Sequence, residues 1–233
     1  AYQIHFGSKK VNTIGDKIDV LVCMNASSLK VSLPNVRENG IIIANTAGFG
    51  EKNLKLAKYA TNPLEDGSLS KYQLIKINIA ELVKQEMEDL NLSPKHIERT
   101  KNIFALGFTY WLYSRPLDLT AKWLKEKFAK KPVILEANLR ALQAGYNYGA
   151  TRQEMIIQYA VKGADLPKGT YRNITGNEAC SLGLVAASRK AKLPLFLGSY
   201  PITPATEILH FISGYKRFGV KVLQAEDEIA GIC

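Results

Sequence analysis

Short runs of β-branched and apolar residues alternate with segments of helical spacing along the first part of the chain. The runs at residues 18–23 and 40–45 predict buried strands, and the alternating run at 72–77 predicts a strand with one less buried face. The segments after these strands predict helices. Because a helical segment separates each strand from the next, consecutive strands are expected to be parallel and joined by crossovers. The pattern therefore predicts an α/β fold built on a mostly parallel sheet.

The chain turns helical after the third predicted strand. Apolar residues recur at helical spacing over 79–90, and residues 101–113 are apolar on nearly every side. The second segment is typical of a buried helix, in which we expect Trp111 to be a core residue rather than a platform for stacking bases. Two more helices are predicted over 119–128 and 133–144, and the glycines that follow are expected to end the second one.

A linker is predicted between two parts of the chain. Two glycines, a proline and several charges fall within residues 162–169, a composition typical of a connecting segment. We therefore predict a first domain over 1–150, a linker over 151–171 and the start of a second domain over 172–233. The second domain opens on the capping-box pattern Thr-x-x-Glu at 175–178, which predicts a helix N-terminus.

A proline-containing loop follows the next predicted strand, at residues 195–199. In this loop Thr203 precedes Pro204, a pair that predicts the N-cap and first position of a helix. Loops at the carboxyl ends of strands are also where α/β folds bind ligands. The spacing is typical of a plain helix start and of a binding loop alike.

Three acidic residues follow the last predicted strand, at residues 219–225. Asp227 and Glu228 suit an exposed helix N-terminus, where negative charge complements the helix dipole. Glu226 directly follows the strand, and we expect it to remain partly buried. A buried carboxylate must find a donor or hold a proton, which suits acid–base chemistry on a ring nitrogen.

Composition and charge narrow the classes of function. The net charge of +10 suits a nucleic acid, an acidic partner or a phosphate-rich cofactor. The lysines are spread without a basic helix or an aromatic RNA motif, which disfavours nucleic-acid binding. The dispersed cysteines and histidines predict no protein-bound metal or iron–sulfur cluster and a reducing, cytoplasmic location. No stretch approaches the roughly 18 consecutive apolar residues of a membrane span.

Three blocks of the second domain carry a family resemblance. They read Gly-Asn-Glu-Ala at 176–179, Gly-Ser-Tyr-Pro-Ile-Thr-Pro-Ala-Thr-Glu at 198–207 and Gln-Ala-Glu-Asp-Glu-Ile-Ala at 224–230. In this order they resemble the alpha subunit of the 2-oxoacid:ferredoxin (acceptor) oxidoreductases. The first domain resembles the gamma domain of the same enzymes, in blocks at 19–25, 40–45, 101–107 and 136–146. The chain is thus similar to a gamma–alpha fusion of the type that acts on 2-oxoglutarate or related 2-oxoacids.

The resemblance implies a fold and an activity. The fold would be a three-layer α/β/α gamma domain with a mostly parallel sheet, followed by the first part of an α/β thiamine-diphosphate-binding domain of the pyrimidine type. The activity would be oxidative decarboxylation of a 2-oxoacid, 2-oxoglutarate favoured over pyruvate, to an acyl-CoA with electrons passed to ferredoxin. Thiamine diphosphate would be shared with a beta subunit, which would also hold the magnesium ion and an iron–sulfur cluster.

The resemblance also implies roles for individual residues. Glu226 matches the glutamate that hydrogen-bonds the aminopyrimidine, and Thr203 matches the threonine near the thiazolium and the substrate carboxylate. Tyr200, Pro201 and Ile202 belong to the same cofactor-binding run. The expected partners are the beta subunit, ferredoxin, coenzyme A and the 2-oxoacid, with no membrane.

Departures from the family pattern give a further expectation. The gamma domain normally opens on a glycine-rich strand–turn that this sequence lacks, and the alpha part covers only residues 172–233. We therefore expect a partial chain that is inactive in isolation. A non-catalytic docking or scaffold role in the same complex is the alternative hypothesis, and a basic nucleic-acid-binding protein is the less favoured one.

Overall fold

A computed structural model describes residues 2–11, 13–152, 158–172 and 174–233. Two compact units are present, Ala1–Leu166 and Pro167–Cys233. Their boundary falls inside the linker predicted over 151–171, of which residues 153–157 lie outside the described residues. Within the described ranges, no helix has both the length and the apolar character that crossing a membrane requires.

The first unit is built on the parallel sheet that the strand pattern predicts. The strands β1, β2 and β3 lie in this order, and both neighbouring pairs are parallel. The elements of this unit are β1 (Ile18–Cys23), α1 (Ala26–Ser32), β2 (Val36–Asn45), α2 (Glu51–Leu56), β3 (Gln73–Ile77), α3 (Ile79–Glu86), α4 (Pro94–Leu112), α5 (Asp118–Lys127) and α6 (Pro132–Ala150).

Helices cover both faces of this sheet. Because successive side chains of a strand point to opposite faces, Ile41 and Ile43 pack into one core with residues of α4 and α6. Ile42 and Ala44 pack into a second core, which includes Leu29 of α1. The three-layer α/β/α arrangement is therefore confirmed.

The run Glu38-Asn39-Gly40 has residue types that are typical of a turn. It lies inside β2, which begins at Val36 rather than at the predicted Gly40. Ile18 of β1 pairs with Val36 and Val20 pairs with Ile41, so the register shifts between the two pairs. Asn39 takes a left-handed φ of 59° within this irregularity. The turn chemistry of the sequence therefore produces a bulge in a strand, where an extra stretch of one strand loops out of the ladder.

The predicted end of the last helix of this unit at residue 144 is wrong, because α6 continues to Ala150. A β-carbon on Gly145 would collide with the carbonyl oxygen of Phe104 in α4, and one on Gly107 would collide with that of Leu142 in α6. The glycines thus bring the two helix backbones into contact instead of ending a helix. Trp111 is 2% exposed in this core, as predicted.

The second unit is a smaller α/β arrangement. Its elements are α7 (Gly176–Ala191), β4 (Phe196–Ser199), α8 (Thr206–Ser213), β5 (Lys221–Gln224) and α9 (Glu228–Ile232). β4 and β5 pair in parallel, with Phe196 opposite Lys221 and Ser199 opposite Gln224. α8 packs against α7 and both strands, and α9 packs against β4.

Of the two predicted helix starts of the second unit, that of α7 at Gly176 with Thr175 as N-cap is confirmed, and that of α8 is wrong. α8 begins at Thr206, with Ala205 rather than Thr203 as its N-cap. The capping box at the start of α7 is only half formed: the Thr175 hydroxyl accepts a hydrogen bond from the Glu178 N–H, whereas the Glu178 carboxylate pairs with Arg172. At the start of α7 the Glu178 side chain therefore has a partner, Arg172, that the capping-box pattern does not reveal.

Candidate functional site

The carboxyl ends of β4 and β5 form one edge of the second unit. The ladder extends one residue past β5, because the Ala225 N–H donates to the carbonyl of Ser199, the last residue of β4, over 2.8 Å. The segments that begin at Tyr200 and Glu226 therefore leave the sheet side by side. This edge is where parallel α/β sheets bind ligands.

The loop over residues 200–204 is held by two polar side chains. The Thr206 hydroxyl accepts from the Ile202 N–H at 2.8 Å and lies 2.9 Å from the Ile202 carbonyl. The Asn177 amide of α7 donates to the Pro204 carbonyl at 3.1 Å and to Glu207 Oε2 at 2.9 Å. Three sequence blocks that lie apart in the chain thus meet at this edge.

Asn177 was not among the predicted site residues. In the sequence it is marked only as a member of the Gly-Asn-Glu-Ala block. Local spacing does not show that α7 contacts the loop. The predicted residues Pro201, Ile202 and Thr203 are exposed on this loop, and Tyr200 is half-buried.

Glu226 is exposed, so the expectation that it stays partly buried is wrong. β5 is itself largely exposed, with Leu223 at 50%, and no layer within the described residues covers the end of the strand. The neighbouring acid has a structural role, because Asp227 Oδ1 accepts from the Ala230 N–H at 2.8 Å and caps α9. Among the described residues, Glu226 has no hydrogen-bonding or ion-pair partner.

α9 is held close to the strand edge by two glycines. A β-carbon on Gly198 of β4 would collide with the carbonyl oxygen of Gly231 in α9. The chain therefore folds back onto β4 directly after Glu226. This return fixes the direction in which the segment carrying Glu226 leaves the sheet.

The corresponding edge of the first unit is formed by neutral groups. Asn25 caps α1 through its Oδ1, which accepts from the Ser28 N–H at 2.9 Å. Asn45 is 3% exposed and donates to the Met24 carbonyl at 3.3 Å, while its Oδ1 has no partner among the described residues. Burial raises the pKa of the Cys23 thiol to about 12, so this thiol is neutral and weakly nucleophilic at pH 7. Of these three described side chains, the two amides can donate and accept hydrogen bonds, and none is an acid or base for proton transfer at pH 7.

Both units are α/β structures with polar residues at the carboxyl ends of parallel strands. This architecture defines the class of α/β proteins whose ligand sites are built from strand-end loops. Among the described residues, no three His, Cys, Asp or Glu side chains are grouped so that they could hold a metal ion.

The chain belongs to the pyruvate ferredoxin/flavodoxin oxidoreductase family, whose family-wide sequence pattern matches residues 1–148. It is 45% identical over 233 residues to the 2-oxoglutarate oxidoreductase subunit KorA of Mycobacterium tuberculosis, covering all of this chain and 36% of that protein. It is 24% identical over 264 residues to subunit alpha of 2-oxoacid:ferredoxin oxidoreductase 1 of Sulfurisphaera tokodaii, covering 99% of this chain and 40% of that protein.

A solved structure shares the fold. The 2-oxoglutarate:ferredoxin oxidoreductase from Magnetococcus marinus, with 2-oxoglutarate, coenzyme A and succinyl-CoA bound, aligns with a TM-score of 0.72 and 25% identity. The alignment covers 97% of this chain and 35% of that one. The chain therefore spans well under half the length of these relatives, and the resemblance identified from its sequence blocks is confirmed.

Proposed function

We propose that this chain forms the gamma and first alpha portion of a subunit that oxidatively decarboxylates a 2-oxoacid to an acyl-CoA, with thiamine diphosphate as cofactor and ferredoxin as electron acceptor. The juxtaposition of Glu226 with the loop over 200–204, at one strand edge, carries the proposal. The 45% identity to a 2-oxoglutarate oxidoreductase subunit and the ligands of the Magnetococcus marinus enzyme favour 2-oxoglutarate over pyruvate.

The residues at this edge fit the ring end of thiamine diphosphate. Glu226 is exposed and, among the described residues, free of internal partners, so its carboxylate can contact a nitrogen heterocycle. The adjoining loop is braced by Asn177 and Thr206, so its shape is set in advance of ligand binding. When bound, the cofactor supplies the electron sink for decarboxylation.

In this proposal each of the predicted site residues has a distinct role. Glu226 holds or moves a proton at a ring nitrogen, which is the role of a general acid–base. The Thr203 hydroxyl contributes a hydrogen bond near the substrate carboxylate, while Tyr200, Pro201 and Ile202 form the wall of the cofactor site. The diphosphate, its magnesium ion and the iron–sulfur cluster are assigned to a partner beta subunit.

The proposal is tested with Glu226→Gln in the oxidoreductase assembled from complete subunits. Turnover of 2-oxoglutarate should fall by about 10²–10⁴-fold, the usual contribution of a positioned acid–base group, while the subunits still co-purify. Glu228→Gln is the matched control, because Glu228 lies in the same acidic run but in the first turn of α9, and should leave turnover unchanged.

The same assay separates the alternatives. Full turnover with Glu226→Gln would favour the docking or scaffold role. A panel containing 2-oxoglutarate and pyruvate decides the substrate, with 2-oxoglutarate expected to give the higher kcat/KM. The 233-residue chain alone is expected to show no turnover.

A further inference from the structure

The first turn of α7 lies beside the loop over 200–204. Asn177 of this turn donates to the Pro204 carbonyl at 3.1 Å and to Glu207 Oε2 at 2.9 Å. α7 therefore begins at the edge that the carboxyl ends of β4 and β5 form. A side chain that is fixed at this helix start is held next to the loop of the proposed site.

Arg172 is fixed at this helix start by an ion pair. Its guanidinium bonds to the carboxylate of Glu178, the residue that follows Asn177 in the first turn of α7. Glu178 is 8% exposed, and a buried carboxylate has to be paired with a donor. The burial of Glu178 therefore sets the position of the guanidinium.

The ion pair leaves part of the guanidinium available. Nη2 is the Arg172 atom that donates to Glu178 Oε1, whereas the whole group carries several N–H donors in a planar fork. The Arg172 side chain is 72% exposed, so its other donors face solvent at the helix start. A planar cation that is held on one side and open on the other suits a second carboxylate, which it can bind through a pair of parallel hydrogen bonds.

Most other cations of the second unit lie at the opposite end of its elements. Lys221 begins β5, and Lys216 and Arg217 precede that strand. Arg189 lies in the last turn of α7, a helix that is about 24 Å long at the usual rise per residue. Among the described residues of this unit, Arg172 is the cation that bonds to the first turn of α7.

The other charged groups at this edge are acidic. Glu207 lies in the first turn of α8, and Glu226 lies just after β5. Carboxylates at these positions repel an anionic substrate. A substrate with two carboxylates is repelled more than one with a single carboxylate, so it gains more from a cation at the edge. Arg172 supplies that cation.

We infer that Arg172 is a specificity-determining residue, whose guanidinium binds the second carboxylate of a dicarboxylic 2-oxoacid while Glu178 holds the guanidinium in position. The inference rests on the proposed function, in which Thr203 lies near the first carboxylate of the substrate. It adds the residue by which this chain distinguishes 2-oxoglutarate from 2-oxoacids that carry an apolar chain.

The kinetics of Arg172→Gln, in the oxidoreductase assembled from complete subunits, test the inference. The two substrates are 2-oxoglutarate and 2-oxopentanoate, which has the same length of carbon chain and a methyl group in place of the second carboxylate. We expect kcat/KM for 2-oxoglutarate to fall about 10–100-fold, mainly through KM, because hydrogen bonds to a charged group are lost. The value for 2-oxopentanoate should stay unchanged.

Two further variants control for charge and folding. Arg189→Gln removes the same charge from the other end of α7 and should leave the kinetics with both substrates unchanged. Arg172→Lys keeps a cationic partner for the buried Glu178 but lacks the planar fork. It should therefore preserve the fold and still lower kcat/KM for 2-oxoglutarate alone, by less than Arg172→Gln does.

Inhibition by glutarate gives a second readout. Glutarate carries both carboxylates without the 2-oxo group, so its inhibition reports binding apart from the chemical step. It should compete with 2-oxoglutarate in the wild type and in Arg189→Gln, and about tenfold more weakly in Arg172→Gln, as the loss of one charge-assisted contact predicts.

The outcomes separate the role of Arg172 from the proposed function. If 2-oxoglutarate kinetics and glutarate inhibition are unchanged in Arg172→Gln, or if both substrates lose kcat/KM equally in Arg172→Lys, Arg172 does not determine specificity and the proposed reaction still stands. If the wild-type assembly turns over no 2-oxoacid, the proposed function fails and the inference fails with it.

Discussion

The Ala225 N–H and the Ser199 carbonyl oxygen are joined by a hydrogen bond of 2.8 Å that continues the β4–β5 ladder one residue past Gln224, the last paired residue of β5. Because this bond is between backbone groups, it sets the relative positions of Tyr200 and Glu226 whatever their side chains are. Substitution of either side chain should therefore change the chemistry of the edge without rearranging it. The position of the edge depends instead on backbone packing around it.

Gly198→Ala should disturb this edge from within the sheet. The added methyl group would meet the carbonyl oxygen of Gly231, so α9 must move, and overpacking of this kind costs about 1–3 kcal/mol. We expect faster amide hydrogen exchange in β4 and α9. Gly183→Ala is the control, because its methyl group would meet nothing within 4 Å and should stabilise α7 by up to about 1 kcal/mol. Equal exchange in the two variants would contradict the prediction.

Gly145→Ala should destabilise the first unit more severely. Its β-carbon would collide with the Phe104 carbonyl oxygen, and two long helices must separate to admit it, which should lower the free energy of unfolding by about 3 kcal/mol. Urea unfolding, followed by tryptophan emission, to which the buried Trp111 contributes, measures the loss. Gly7→Ala, where nothing lies within 4 Å, should change the unfolding midpoint little, and a similar midpoint in Gly145→Ala would argue against close helix contact.

Gly145 also shows where the sequence is ambiguous. A glycine after a helical stretch is typical of a helix end and equally of close packing between helices, and only the presence of α4 decides between them. The strands were predictable because a short continuous run of β-branched and apolar residues is typical of a parallel strand that is buried on both faces. The predicted run 40–45, for example, lies in β2 and is buried at every position.

Part of the candidate site was predictable, because the strands and the segments that follow them can be recognised from local pattern. The proline-containing loop and Glu226 were placed at strand ends from local pattern, and the parallel pairing of β4 and β5 brings them together. The exposure of Glu226 and the bracing of the loop by Asn177 were not predictable, since each depends on residues far apart in the chain.

Cys23 should be inert towards thiol reagents in the folded protein. It is fully buried, whereas Cys180 and Cys233 are exposed, and burial raises its pKa to about 12. At pH 8 a thiol-reactive dye should label two cysteines quickly and the third only on unfolding, because the thiolate is the reactive form. Fast labelling of Cys23 in the native protein, located by peptide mapping, would contradict its burial.

The same thiol makes stability depend on pH. Its pKa is 9.0 when exposed and about 12 when folded, so above pH 9 the unfolded chain loses this proton first and the native state is disfavoured. The contribution of Cys23 to stability is complete below pH 9 and is lost as the pH rises towards 12. Cys23→Ala should therefore lose less stability than wild type between pH 9 and 11, and Cys180→Ala should follow wild type.

Asn177→Ala should loosen the loop over 200–204 and the first turn of α8 while leaving α7 intact. The amide makes hydrogen bonds to the Pro204 carbonyl at 3.1 Å and to Glu207 at 2.9 Å, and losing them should cost about 1–2 kcal/mol, the one to a charged acceptor being the stronger. Hydrogen exchange should rise over 202–207 and stay unchanged in the middle of α7, around Val185. Ser213→Ala is the control, because it removes a hydrogen bond to His210 at the other end of α8 and should leave the loop protected. If the loop exchanges equally in both variants, Asn177 does not brace it, and the bonds of Thr206 to Ile202 suffice to hold its shape.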